Sequence, residues 1–249
     1  MSRGRLRVPL SPLAPGLMPL PEEAAAYVVR VHRLKEGDRF DAFDPERGVE
    51  AEAELVSAAR GSAPVVRVGE VRGAVVLPAR RVTLVQALSK GEKMDAIVRD
   101  ATELGVTRVC PVIAERSVVR LDDAAARADR YRRIAVQAAR QCGRGDAPRI
   151  DVPAPLAEVL AEVGGRGVGW SLDPGARTPL RDRLTQLSPD AEVVFVVGPE
   201  GGLTEGELEL CERAGLDRVS LGPFTLRTET VCAAVLGALL VLAAPDRAT

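Results

Sequence analysis

The residues best suited by type and spacing to chemistry lie between Val193 and Leu240. The run Val193–Val197 (VVFVV) has the β-branched, apolar composition of a strand buried in a parallel sheet. It stops at Gly198-Pro199-Glu200-Gly201-Gly202, where three glycines permit turns closed to other residues and let a ligand approach the main chain. Thr204, with Glu207 three residues later, forms a capping box that predicts a helix through Arg213. A short strand is expected at Arg218–Leu221. A second tight loop follows, Gly222 to Thr230, carrying Arg227 and Glu229. Two strands then end in glycine-containing loops on one edge of a sheet, the place where open α/β sheets bind ligands. The first loop lacks the Gly-Lys-Ser/Thr of a nucleotide-binding P-loop and the spacing of a dinucleotide fingerprint. The single histidine, His32, lies far from both loops, which argues against Ser-His-Asp or other histidine-driven chemistry.

These loops need a scaffold, and from about Ala74 onward the pattern supplies one. Strands are predicted at Val82–Leu88, Arg108–Ile113 and Val168–Leu172. Helices are predicted at Glu92–Leu104, Asp122–Gln141, Leu156–Val163 and Pro179–Leu187. Strands alternating with helices make a parallel sheet covered on both faces. The last helix, Val231–Ala244, is apolar almost all round and is expected to be buried. Before about Gly73 the texture differs. A helix is predicted at Glu22–Arg33, opening after Pro21, and short strands at Arg39–Phe43, Val49–Ala58 and Val65–Val71 suggest a small β-barrel. The expected organisation is therefore a domain of residues 1–73 and an α/β domain of residues 74–249.

Composition bounds the function. The 249 residues carry 28% charged side chains and a net charge of −1, with a mean hydropathy of +0.03, as in a soluble globular protein. The most apolar helix is too short to span a membrane, and the N-terminus has no signal-peptide pattern. Four cysteines without CxxC spacing read as reduced thiols of a cytoplasmic protein, with no disulfide framework and no metal site. Charge is unevenly spread: ten arginines stand against five acids between Arg108 and Arg149. Alone that is a solvated helix face; beside a ligand site it suits phosphate contacts.

The pair GPEGGLTEGE (Gly198–Glu207) and LGPFTLRTET (Leu221–Thr230) resembles the SPOUT superfamily of RNA methyltransferases, and within it the RsmE family, which methylates N3 of a uridine in 16S ribosomal RNA. Further matches run in the family's order: Arg33 to Asp38, Ala87 to Met94, Ala101 to Val106, Glu115 to Val119 and Gln141 to Arg144. Together they cover nearly the whole chain. The resemblance implies a trefoil-knotted α/β catalytic domain behind a PUA-like RNA-binding β-barrel. It also implies S-adenosylmethionine as methyl donor, the 16S rRNA of the small ribosomal subunit as partner, and a homodimer.

On that resemblance the cofactor would be held by Gly198, Glu200, Gly201, Gly202 and Gly222, with Leu172, Leu221, Leu226 and Thr230 completing its walls. Methyl transfer from a sulfonium requires no metal; holding donor and nitrogen in line supplies much of the rate. The uracil N3–H is a weak acid, so charge on the base must be stabilised as the proton leaves. An arginine aimed at a uracil carbonyl does this as an oxyanion hole does. Arg227 is the first candidate and Arg116 the second. Glu229 is a candidate proton acceptor, although helix capping is the commoner role of a carboxylate so placed. RNA contacts are expected from an N-terminal arm, Arg3, Arg5 and Arg7, and from Arg33. Lys90, Lys93 and Arg144 are assigned either to RNA backbone or to the dimer. Trp170 and Phe224 can stack on a turned-out base or pack in a core. Departures from the family pattern stand at Gly145-Asp146, Phe224-Thr225 and Val231. Two other readings remain: a ribose 2′-O-methyltransferase of the same superfamily, and a non-catalytic RNA-binding assembly factor.

Overall fold

The structure, a computed structural model, describes residues 5–59, 62–117 and 123–243. The chain separates into two compact units. The first takes residues 1–77 together with 136–147, and the second takes 78–135 and 148–249. The division thus falls a few residues beyond the expected Gly73, and a segment from mid-chain joins the first unit.

In the second unit seven parallel strands form one sheet: β7 (Val82–Ala87), β8 (Arg108–Ile113), β9 (Arg149–Ile150), β10 (Ala154–Pro155), β11 (Val168–Leu172), β12 (Val193–Val197) and β13 (Leu216–Val219). Their order is β10-β8-β7-β12-β11-β13, with β9 also on β8. All five residues of β12 and all six of β7 are buried, as central strands of a two-sided parallel sheet require. Alternation then sorts them. Val193, Phe195 and Val197 join the core that holds α2 (Lys93–Glu103) and α7 (Thr228–Ala243). Val194 and Val196 face the opposite core with α4 (Leu156–Val163) and α6 (Glu205–Arg213). Because every strand runs the same way, the C-terminal ends of β11, β12 and β13 share one edge.

The last helix corrects an expectation. It begins at Thr228, and only one face of it is buried: Cys232, Val235, Leu236 and Leu239, spaced as one helical stripe. Leu240, Val241 and Leu242 are exposed. The predicted end at Ala244 and the predicted start of the long helix at Asp122 lie outside the described residues; that helix, α3, is described over Ala124–Cys142. A five-residue helix, α5 (Leu180–Leu184), completes the unit. Among the described residues no helix is long and apolar enough to cross a membrane.

The first unit is a mixed sheet of β1 (Arg7–Pro9), β2 (Gly16–Pro19), β3 (Arg39–Asp44), β4 (Val49–Ser57), β5 (Val65–Val68) and β6 (Arg72–Gly73). The order is β1-β3-β4-β5-β2, with β6 on β4 and only β1–β3 parallel. The predicted helix at Glu22–Arg33 is an α-turn, α1 (Glu22–Ala25), running into a π-helical turn at Ala26–Val31. His32 N–H donates to Tyr27 C=O five residues back, and the chain leaves through Arg33 at φ 56°. Buried Asp44 fastens the sheet to the first loop by accepting from Leu13 N–H at 3.1 Å.

Candidate active site

A cavity of about 660 Å³ opens at the shared strand edge of the second unit. Its walls come from the loop after β11 (Leu172 to Pro174), from Val197 to Leu203 after β12, and from the loop between β13 and α7. Lys93 and Arg116 line it as well. Its volume suits a ligand of drug or cofactor size.

The glycine loop has specific local causes. Gly198 has no room for a side chain: a Cβ there would meet Leu203 N at 2.9 Å and Gly202 C at 3.1 Å. Gly202 sits at φ 70°, and its N–H closes a turn on Pro199 C=O at 2.8 Å. Gly201 is not in the left-handed region; a Cβ there would approach Arg116 Cδ at 3.3 Å. The capping box forms as expected. Thr204 Oγ1 accepts from Glu207 N–H at 3.3 Å, and Glu207 Oε2 accepts from Thr204 N–H at 2.8 Å. Buried Glu207 does more than cap, because its Oε1 accepts from Glu115 N–H at 2.7 Å. That bond pins the loop after β8, and Arg116 then reaches across to donate to Gly201 C=O at 2.8 Å.

Lys93 and Glu200 pair across the rim at 2.7 Å. Partial burial alone would raise the Glu200 carboxyl. The Lys93 ammonium and the main-chain N–H groups of Glu200 and Lys90 outweigh it and hold the carboxyl below its usual value.

Two residues that fasten the glycine loop were missed in the sequence. Gln86, fully buried at the end of β7, donates from Nε2 to Thr228 Oγ1 at 3.0 Å and to Ala87 C=O at 3.1 Å. Thr228 in turn donates to Gly198 C=O at 3.0 Å. A buried relay therefore runs from the sheet through the first residue of α7 into the glycine loop. The only local signal was a lone glutamine in an apolar strand.

The expected cofactor residues Leu172, Gly198, Glu200, Gly201, Gly202, Leu221, Gly222 and Leu226 are brought together around the cavity, with Arg227 and Arg116. Thr230 and Glu229 lie in the first turn of α7 and do not line it. Glu229 is half-buried, and its Oε2 is buried without a hydrogen-bond partner among the described residues. Lys90 is exposed at the loop after β7. Trp170 is fully buried in the sheet core, which removes it from any stacking role, whereas Phe224 is 77% exposed at the cavity.

The remaining arginines fall in the first unit. Arg5 is half-exposed and pairs with Glu52 at 2.5 Å and Asp41 at 3.6 Å. Arg7 is mostly buried, pairing with Glu50 at 3.4 Å with its guanidinium 5.0 Å from the Phe43 ring centroid. Arg33 is exposed. Arg144, 4% exposed, forks onto Asp146 at 2.9 and 3.0 Å, so Asp146 has an internal partner. Gly145 is required because a Cβ there would fall 2.1 Å from Ala74 Cβ. Arg3, and Val118 and Val119 of the upstream motif, lie outside the described residues.

The sequence matches the model of an RNA methyltransferase domain over residues 77–240 and that of an RNA methyltransferase PUA domain over residues 20–66. It is 33% identical over 225 residues to the ribosomal RNA small subunit methyltransferase E of Bacillus subtilis, covering 87% of each chain. It is also 33% identical over 219 residues to that of Synechocystis sp., covering 86% of this chain and 70% of the other. Among solved structures, the ribosomal RNA small subunit methyltransferase E of Neisseria gonorrhoeae, bound to S-adenosyl methionine, superposes with a TM-score of 0.85 at 29% identity. The match covers 96% of this chain and 98% of that one. Fold, glycine-loop cavity and relatives together place this chain in the ribosomal RNA small subunit methyltransferase E family of RNA methyltransferases.

Proposed function

We propose that the protein transfers a methyl group from S-adenosylmethionine to N3 of a uridine in the 16S rRNA of the small ribosomal subunit. The observation that carries this reading is the cavity itself. Loops at the ends of three parallel strands line it, and Arg227 stands exposed at its wall. Leu172, Leu221 and Leu226 offer apolar surface to an adenine, and Gly198, Gly201, Gly202 and Gly222 let main-chain groups approach the adenosyl moiety. The bound donor supplies an activated methyl on a sulfonium, which leaves as a neutral thioether.

The protein's own residues then hold the base in line and stabilise its developing charge. Arg227 donates to a uracil carbonyl oxygen as N3 gives up its proton. Glu229, two residues further on but outside the cavity lining, keeps a helix-cap role in the first turn of α7, and the N3 proton is released to solvent. Arg116 is committed to Gly201 C=O and shapes the loop. The glycine framework and the intact LRTET segment favour an enzyme over an assembly factor that merely binds RNA. The first unit, with Arg5 and Arg33 on its exposed surface, is the proposed RNA-binding domain, and the trefoil knot belongs to the same reading.

The protein is further proposed to act as a cytoplasmic homodimer through the uncovered face of α7, where Ala234 and Gly237 leave room for close approach and Leu240, Val241 and Leu242 stand exposed. Leu236 and Leu239 sit in their own chain's core and are unsuited to that contact. Purified protein incubated with small subunits and tritiated S-adenosylmethionine should label 16S rRNA. Arg227→Ala should bind the donor yet lose about two to three orders of magnitude in transfer. No label from wild-type protein would overturn the reading.

A further inference from the structure

The chain has seven aromatic residues, and six are packed. Phe40, Phe43, Trp170 and Phe195 are fully buried and Tyr131 nearly so. Tyr27 is half-buried beneath the Arg140 guanidinium, 4.0 Å from its ring centroid. Phe224 alone stands out, 77% exposed at the cavity. Burying such a ring would contribute roughly 1.5–3 kcal/mol, so the fold leaves a large apolar surface unused. The backbone beneath it is restricted, since Gly222 at φ 137° and Pro223 set the path of the loop. Arg227 lines the same cavity. A flat apolar face beside a guanidinium donor matches a nucleobase with its polar edge. The adenine of a methyl donor has better-enclosed walls in half-buried Leu172, Leu221 and Leu226.

We propose that Phe224 is a stacking platform for a nucleobase of the RNA substrate, engaged when the target nucleotide is turned out of its strand into the cavity. The proposal deepens the methyltransferase reading and rests on it. It makes Phe224 a residue for RNA selection, with no part in donor binding.

Full-length Phe224→Ala, Phe224→Leu and Phe224→Trp proteins would be assayed on small subunits with S-adenosylmethionine. Base–aromatic stacking predicts that Ala and Leu weaken KM for RNA by about 5- to 150-fold, while Trp restores it. Donor affinity by calorimetry and the sedimentation coefficient should match wild type in all three. Trp170 is sealed in the core, so the added emission of Phe224→Trp reports on the loop; RNA should quench it and S-adenosylmethionine should not. Unchanged KM in the Ala variant would overturn the proposal alone. So would an aromatic-dependent loss of donor affinity, which would put the ring on adenine, or conversion to monomer, which would put it in a subunit contact. Wild-type protein that labels no RNA would overturn the functional reading and this proposal with it.

Discussion

Replacing Thr228 by valine removes one hydroxyl and keeps the shape of the side chain. In the structure that hydroxyl accepts from Gln86 Nε2 and donates to Gly198 C=O, each at 3.0 Å, at a residue only 5% exposed. Gln86 keeps its bond to Ala87 C=O, so the substitution strands one N–H and one carbonyl in a dry site. Each stranded buried group costs about 1–3 kcal/mol, and the two share one relay, so a joint loss of about 2–4 kcal/mol is expected. For a chain of this size that lowers the melting temperature by about 5–15 °C. The Gly198 carbonyl also sets the start of the glycine loop. Weakening of S-adenosylmethionine binding by about tenfold, or 1.4 kcal/mol, should therefore accompany the stability loss. Thr228→Ser keeps the hydroxyl and should recover most of both. Scanning calorimetry and titration calorimetry read the two effects, and a double-mutant cycle with Gln86→Leu should show coupling of about 0.5–3 kcal/mol. A valine variant with wild-type melting and donor affinity would refute the relay.

Gly198→Ala and Gly201→Ala should part company. The first forces backbone atoms at 2.9–3.1 Å to move and should abolish measurable donor binding in calorimetry; the second meets only the flexible Arg116 side chain at 3.3 Å and should change it less than about threefold. The Lys93–Glu200 pair has a depressed carboxyl, so its contribution is complete above the unfolded-state carboxylate pKa and fades as pH falls through the lower folded-state value. Partly exposed, the pair is worth about 0.2–1 kcal/mol, and the melting difference between wild type and Glu200→Gln should shrink from pH 7 to pH 3. Burial pushes the Cys211 and Cys232 thiols up to about 12 and raises Cys110 as well, while Cys142 is exposed. A thiol reagent at pH 8 should therefore modify Cys142 rapidly in the native protein and the other three only after denaturation.

Much of the scaffold was legible because its signals are local. VVFVV is an unbroken apolar run, and β12 occupies it from end to end; β8, β11 and α4 likewise match their predicted limits. The capping box placed α6 because Thr204 and Glu207 are three residues apart. What failed was set from a distance. β13 lies two residues before its predicted span because pairing with β11, Gly169 opposite Leu216 through Leu172 opposite Val219, fixes its register. Thr228 opens α7 where the sequence read a loop, and its hydroxyl partners are Gln86, 142 residues away, and Gly198. Strands β1, β2, β6, β9 and β10, of two to four residues, are too short to leave a period. The glycines and Arg227 could be placed beside one another from the sequence because loop chemistry is written in residue type, and they do line the cavity. The buried states of Arg7 and Arg144 were not, because charge alone does not reveal Glu50 or Asp146 as partners.

The central claim is the position of the transferred methyl group. Small subunits lacking the modification, treated with this protein and S-adenosylmethionine, can be digested to nucleosides and read by mass spectrometry. The account predicts one N3-methyluridine per 16S rRNA with wild-type protein and almost none with Arg227→Ala. A methyl found on a ribose 2′-oxygen, or on no nucleoside at all, would contradict it.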